Sequence, residues 1–186
     1  KNLSAFKRAA EKAGVPLWTT LLSVGHWRYR TPDIDDIRWQ IYTAVSHGVN
    51  GILWFFIYER DKDSSYRQAP INLFFEKTPL FYILSDENRM FLKYYADNFI
   101  GARLKRVYHK GKVYADYKEY VNGVIEELSF TGEYGASLIV SEFENESGAF
   151  VCITNNEQRD IEHLTGEYKN KKFDEWFASG QLIVLK

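Results

Sequence analysis

The chain has a single cysteine, Cys152. No intrachain disulfide can form, and no cluster of thiolates can hold a metal. Only four of its 186 residues are proline, which excludes a proline-rich extended segment. Neither sign of charge is in excess. There are 24 basic and 25 acidic residues, a net charge of −1. A nucleic-acid binder usually carries a clear basic surplus, so no nucleic-acid partner is expected. No apolar run approaches the roughly 18 residues of a membrane-crossing helix, so no membrane partner is expected either. The four histidines, His26, His47, His109 and His163, are scattered without any metal-ligand spacing. Neither a metal nor a cofactor is implied.

What is present is aromatic. Phe, Tyr and Trp make up 17% of the chain, as 13, 13 and 5 residues. Such a load fits a large core, and it also fits a sugar-binding face. With 45% apolar and 26% charged residues, the composition is globular. The length allows one domain or two small ones. The chain begins at Lys1 without an initiator Met or a signal peptide. The expectation is a fragment whose partner is the upstream remainder of the same protein.

The residue pattern divides near Gly101–Arg103. Before it, Asn2–Ala13 has apolar residues at helical spacing and stops at Gly14 and Pro16. Leu17–Val24 is a short apolar run of the kind buried on both faces of a parallel sheet. Thr31-Pro32 opens a helix, with Thr31 as N-cap, Pro32 in the first turn and Asp33, Asp35 and Asp36 near the positive end of its dipole. Gly48 ends that helix, and Gly51–Tyr58 is a second continuous apolar run. A polar segment, Glu59–Ala69, is long enough to suggest a functional loop. Ile71–Phe75 suggests a short strand. Thr78-Pro79 starts a helix running to about Ile100, with a break near Ser85-Asp86. After the boundary come short alternating segments: Leu104–His109, Val113–Ala115, Val124–Phe130, Ser137–Phe143, Ala149–Thr154, Ile161–Leu164 and Leu182–Leu185. Turn residues separate them, and the pattern predicts an antiparallel β-sandwich. The first half, α-β-α-β-α, implies a parallel sheet. Two strands alone leave apolar edges unpaired, so the remaining strands are expected upstream or from another chain.

Several of these residues carry a family resemblance. They are Pro16-Leu17-Trp18, Gly25-His26, Tyr29-Arg30-Thr31-Pro32, Ile37-Arg38-Trp39-Gln40, Ala44, Gly48 and Gly51-Ile52-Leu53-Trp54-Phe55. Together they resemble the last third of a glycoside-hydrolase (β/α)8 barrel of the β-galactosidase-like superfamily. Thr78-Pro79 to Asn88 is similar to the opening of the final barrel helix. The tail, closing with Gly180-Gln181-Leu182-Ile183-Val184, is similar to the β-sandwich that follows such barrels. The resemblance implies α/β plus all-β: residues 1–101 as strands seven and eight of a TIM barrel with their helices, and 102–186 as a C-terminal β-sandwich. It implies a carbohydrate partner and hydrolysis of O-glycosidic bonds, this segment supplying subsite walls. One departure stands out. The family's usual strand-seven nucleophile glutamate is missing, because Leu17–Gly25 contains no carboxylate. Glycoside hydrolysis needs two carboxylates flanking the bond. A non-catalytic carbohydrate-binding or structural relative is therefore the alternative.

In such barrels the site lies after the strand ends. That selects His26, Trp27, Arg28, Tyr29 and Arg30 after the first apolar run, and Tyr58, Glu59, Arg60 and Asp61 after the second. His26 and Trp27 read either as a hydrogen-bonding and stacking pair for a sugar, or as packing residues. Tyr58 reads as an aromatic platform or as a rim packing residue. Glu59 is the one carboxylate directly at a strand end and the candidate catalytic residue, as general acid/base or hydroxyl ligand. The competing reading is an ion pair with Arg60, Arg28 or Arg30, the usual fate of a surface carboxylate near arginines. Asp61 and Asp63 read as solvated loop charges. Arg38 and Trp39 read as structural. The basic run from Arg103 to Lys112 reads as a solvated strand face.

Overall fold

The computed structural model describes residues 2–60, 65–114, 117–121, 123–132, 137–160 and 162–186. Asp61, Asp63, Ala115 and Ile161, all part of the expectations above, lie outside the described residues. The first half holds α1 (Asn2–Ala13), β1 (Trp18–Leu22), β2 (Gly25–His26), α2 (Ile34–Ser46), β3 (Gly51–Phe55), β4 (Tyr66–Arg67), α3 (Pro79–Tyr94) and α4 (Ala96–Phe99). The second half holds β5 (Arg103–Gly111), β6 (Lys118–Glu119), β7 (Glu126–Thr131), β8 (Ser137–Asn145), β9 (Gly148–Asn155), β10 (Glu162–Tyr168), β11 (Lys171–Phe177) and β12 (Leu182–Leu185).

Four small sheets result. β1 pairs in parallel with β3, Trp18 opposite Gly51 and Leu22 opposite Phe55. β2 pairs with β4. Five strands run in the order β12-β9-β8-β5-β6, and three in the order β11-β10-β7. Leu128, Leu164 and Phe177 of the three-stranded sheet meet Leu138, Val140, Val151 and Ile153 of the five-stranded sheet in one buried cluster. The opposite face of the five-stranded sheet receives α2. Ile37, Ile41, Ala44 and Val45 pack there in a common cluster with Phe143, Phe150, Cys152 and Leu182. Burial pushes the Cys152 thiol well above its ordinary range, so it behaves as a small apolar side chain.

This architecture corrects the expected fold class. The described residues form four helices and several small sheets, 26% helix and 40% strand, and no closed barrel. It is mostly β, not the last strands and helices of a TIM barrel followed by an antiparallel sandwich. The physical reason lies in the two apolar runs. Among the described residues, β1 and β3 pair only with each other. They are not buried on both faces, since Trp18 is 58% and Leu53 51% exposed. The free edge of β1 is met by a side chain: the Gln40 amide accepts from Leu22 N at 2.7 Å and donates to Leu22 O at 3.0 Å. In the five-stranded sheet β6 runs parallel to β5, so the second half is not purely antiparallel.

Local expectations shift for local reasons. The α2 N-cap is Asp33, not Thr31. Asp33 and Asp36 form a reciprocal capping box, which a hydroxyl two residues earlier cannot match in register. α3 passes through Ser85-Asp86 without a break. Ile71 makes only isolated bridges, to Tyr58 and Lys77, and the following residues turn.

The seam between α2 and the five-stranded sheet is polar in places and tightly fitted. The Ser46 and Thr154 hydroxyls lie 2.6 Å apart, and Ser141 Oγ donates to Ser46 O at 2.7 Å. Trp39 Nε1 donates to Asn156 O at 3.1 Å. Gly180, at φ +69°, presses on the Trp39 backbone so closely that a Cβ would sit 2.4 Å from Trp39 Cα. Gly180→Ala is thus opposed by conformation and by contact. It is expected to lower unfolding stability by about 2 kcal/mol or more in chemical denaturation. An unchanged denaturation midpoint would contradict this fit.

Two histidines are buried at the same seam. His47, the C-cap of α2, has its Nδ1 2.6 Å from Thr43 O. His109 of β5 stacks on Tyr117 with centroids 4.1 Å apart. Burial and the neighbouring His47 push His109 down to about 4, and burial lowers His47 as well. An unfolded histidine titrates near 6.5. The unfolded chain therefore binds more protons between these values, and stability falls as pH drops from about 6.5 towards 4. Half-buried Glu157, raised by burial, contributes with opposite sign in part of this window. The check is a difference: His109→Phe should lose on the order of 2 kcal/mol of that pH dependence relative to the parent. Superimposable pH–stability curves would contradict the account.

Candidate functional site

The residues expected at the site lie on the connections after β1 and β3. After β1 the chain enters a tight turn. His26 N donates to Tyr29 O at 3.1 Å, and Tyr29 N donates back to His26 O at 2.9 Å. Trp27 takes φ +52°, which turns its side chain outward, and Trp27 and Tyr29 are 72% and 66% exposed. The turn is held from outside by Arg67, whose Nη2 donates to Trp27 O at 3.0 Å and to Tyr29 O at 3.1 Å. Trp27 N also donates to Ser65 O at 3.1 Å. The β2–β4 pairing, His26 opposite Tyr66, places this clamp.

Beneath the turn lies an aromatic floor. The His26 ring is 4.5 Å from Tyr66, 5.4 Å from Phe55 and 5.8 Å from Trp27, centroid to centroid. Phe56 completes the floor at 5.6 Å from both Phe55 and Tyr66. Val24 and Ala69 are fully buried below it with Tyr66. The Arg60 guanidinium lies 5.5 Å over Phe56 and 5.4 Å over Tyr66. A cation over aromatic faces is attracted by their quadrupoles, so Arg60 is held in place.

Tyr58 and Glu59 sit on the adjoining connection. Glu59 N donates to Ile71 O at 2.8 Å, and Ile71 N donates to Ile57 O at 2.9 Å. Tyr58 is 52% exposed. The ion pair weighed for Glu59 does not form among the described residues. Arg60 lies on the aromatic floor, and Arg30 is bound to Asp36 at 2.5 Å and Asp33 at 3.5 Å. Arg28 is exposed. The structure thus gathers His26, Trp27 and Tyr29 into one clamped turn. Tyr58 and Glu59 lie on the neighbouring segment, joined to it through Phe55, Phe56 and Tyr66 rather than directly.

The ionic cluster beside the turn is structural. Arg159, from the connection after β9, pairs with Asp33 at 2.8 Å and with Asp36 at 3.5 Å. Partial burial of Asp33 opposes its charge. The Arg159 guanidinium, the Asp36 backbone N–H and Arg30 together outweigh this and hold its carboxyl below the usual range. Arg38 joins Asp35 at 3.2 Å and Glu87 at 2.9 Å, tying α2 to α3.

Sequence reasoning missed Tyr66 and Arg67. Both lie in the polar loop, where charge and turn residues mask them. A signal was there: an adjacent Tyr-Arg pair inside an otherwise polar stretch, which a two-residue strand can turn into a clamp. Among the described residues, no group of three or more His, Cys, Asp or Glu could hold a metal ion. Among the same residues, no helix is long and apolar enough to cross a membrane. No family model matches the chain, and neither a curated protein nor a solved structure matches it.

Proposed function

We propose that the chain is part of a glycoside hydrolase and supplies a sugar-binding wall around Trp27, with carbohydrate as its partner. The observation that carries this reading is the clamped turn. Arg67 fixes the backbone of Trp27 and Tyr29 while their rings stay exposed, the Trp27 ring beside His26 of the aromatic floor. Large exposed rings on a rigid backbone lose little entropy on binding, and their flat faces suit the C–H face of a pyranose. His26 and Glu59 add directional hydrogen-bonding groups on the same side of the β1–β3 pair. The resemblance of Gly25-His26, Tyr29–Pro32 and Gly51–Phe55 to β-galactosidase-like glycoside hydrolases supports the same class.

In this reading Glu59 orients sugar hydroxyls. Hydrolysis requires a second carboxylate across the bond, and Leu17–Gly25 provides none. A purely carbohydrate-binding role is the second reading, and that missing carboxylate favours it. The test is binding of β-linked and α-linked galacto- and gluco-oligosaccharides, followed by calorimetry. At least one should bind saturably. Trp27→Ala should weaken it about tenfold or more, from the lost ring burial. Glu59→Gln should weaken binding less. Absence of saturable binding, or binding equal in the parent, Trp27→Ala and Tyr58→Ala, would overturn the assignment.

A further inference from the structure

Charge is spread unevenly over the chain. Against a net charge of −1, one groove collects cations. It has a volume of about 450 Å3 and lies between α1, β5 and β6. Lys7 and Arg8 of α1, Lys105 and Arg106 of β5 and Lys118 of β6 line it, and Glu11 is the one carboxylate among the lining residues. Only the β5 pair belongs to the basic run seen in the sequence. The fold adds the other three from two elements packed around it.

Two local features place these side chains. A Cβ at Gly48 would meet Lys7 Cε and Leu104 Cβ at 3.0 Å each. The Lys7 stem therefore packs where Gly48 leaves room beside β5. Its side chain is only 14% exposed, with the ammonium 3.5 Å from Glu11. In β5 the pairing with β8 slips by one residue between Leu104 and Arg106, so Lys105 is the extra residue of a bulge. Consecutive strand residues ordinarily point to opposite faces. Here Lys105 reaches Glu144 at 2.9 Å and Arg106 reaches Glu142 at 3.5 Å. Those glutamates are two apart on β8 and share a face, so the bulge brings both cations to one side.

The charge balance selects the occupant. Even with Glu142 and Glu144 counted beside Glu11, cations outnumber carboxylates five to three. Arg8 and Lys118 have no ion pair among the described residues. The pairs of Lys105 and Arg106 are exposed, and such pairs are weak enough for a bound anion to exchange with them. A phosphoryl group brings close to two negative charges at pH 7 and three acceptor oxygens. It suits the planar forks of Arg8 and Arg106 and the point charges of the lysines, whereas a carboxylate brings a single charge. The volume is that of a small-molecule site. Outside the groove acidic residues outnumber basic ones, so no basic track continues from it as a nucleic acid would need.

We infer that this groove binds a small compound carrying two or more phosphoryl groups, held by Lys7, Arg8, Lys105, Arg106 and Lys118. The inference does not rest on the reading given for the Trp27 turn.

The experiment is calorimetry on the whole chain at pH 7 and fixed ionic strength. The probes are inorganic phosphate, pyrophosphate, tripolyphosphate, ADP and citrate. Pyrophosphate and tripolyphosphate should bind saturably at one site per chain, about tenfold or more tighter than phosphate or citrate. Arg8→Gln and Lys118→Gln remove exposed charges on which no described carboxylate relies. Each should weaken pyrophosphate binding roughly threefold to tenfold. Lys171→Gln makes the same change of charge on β11, outside the groove, and should leave binding unchanged, as should Trp27→Ala. Backbone amide shifts in the parent, centred on Leu104–Tyr108 and Lys118, locate the site without any variant. ADP binding tighter than pyrophosphate supports a phosphorylated organic compound, its remainder against Tyr108 or Tyr117, which also line the groove. The reverse order supports free polyphosphate. No saturable binding of any phosphorylated probe would overturn the proposal, as would citrate binding as tightly as pyrophosphate. So would a loss in Lys171→Gln as large as in Arg8→Gln. A thymidine decanucleotide binding more tightly than tripolyphosphate would overturn it too, by assigning the groove to nucleic acid.

Discussion

The structure depends on burial of one helix between two sheets. α2 presents Ile37, Ile41 and Val45 to the β1–β3 pair and α3 on one side and to β8, β9 and β12 on the other. All three side chains are buried, Ile37 completely. Burying an Ile or Val side chain contributes about 1.5–3 kcal/mol, so this stripe outweighs any single polar contact at the seam. The β1–β3 pair depends on it most. A two-stranded pair is marginal on its own, and here it is covered on one face by α2 and stitched at its edge by Gln40.

The polar contacts at the seam set the register rather than the strength. Ser46, Thr154 and Ser141 form a buried chain of short contacts that only one placement of the helix satisfies. Gly180 fixes how closely the turn before β12 can approach Trp39. Arg159 reaches from the second half of the chain to the Asp33–Asp36 capping box and joins Arg30 there. Arg30 follows directly on the Trp27 turn. The geometry of that turn is therefore coupled to the sheet through the first turn of α2. The opposite end of α2 carries His47. With thirteen residues in the helix, the two ends stand about 20 Å apart.

Much of the local structure was legible in the sequence, because it rests on local physics. α1 follows its helical spacing and stops at Gly14. The apolar runs Trp18–Leu22 and Gly51–Phe55 are strands, shorter than the full runs. Val140, Val151 and Ile153 are interior, and so is Cys152 between the last two, because both faces of the five-stranded sheet are covered. What the sequence concealed is non-local. Continuous apolarity in β1 and β3 suggested burial on both faces, but half-exposed Trp18 and Leu53 show that an apolar side chain need not be covered. β11 has a charged sequence, Lys171–Phe177, and is a strand because β10 pairs along its full length. His47 and His109 are 62 positions apart in sequence, and only the packing of α2 on the five-stranded sheet brings their rings within 6.2 Å. Arg67 and Tyr66 needed the β2–β4 pairing before their purpose could be read.

A helix shared by both halves has a thermodynamic consequence. If α2 is the common support, it cannot open without exposing the apolar face of β8 and β9, and both must unfold together. Native-state hydrogen exchange resolves such openings residue by residue. The amides of Ile41, Tyr42 and Val45 in α2 should exchange with the same free energy as those of Val140 in β8 and Ile153 in β9, and all should fall together in rising denaturant. If the α2 amides exchange through a clearly cheaper opening while β8 and β9 stay protected, the helix is a peripheral cover and not the support on which both ends of the molecule depend.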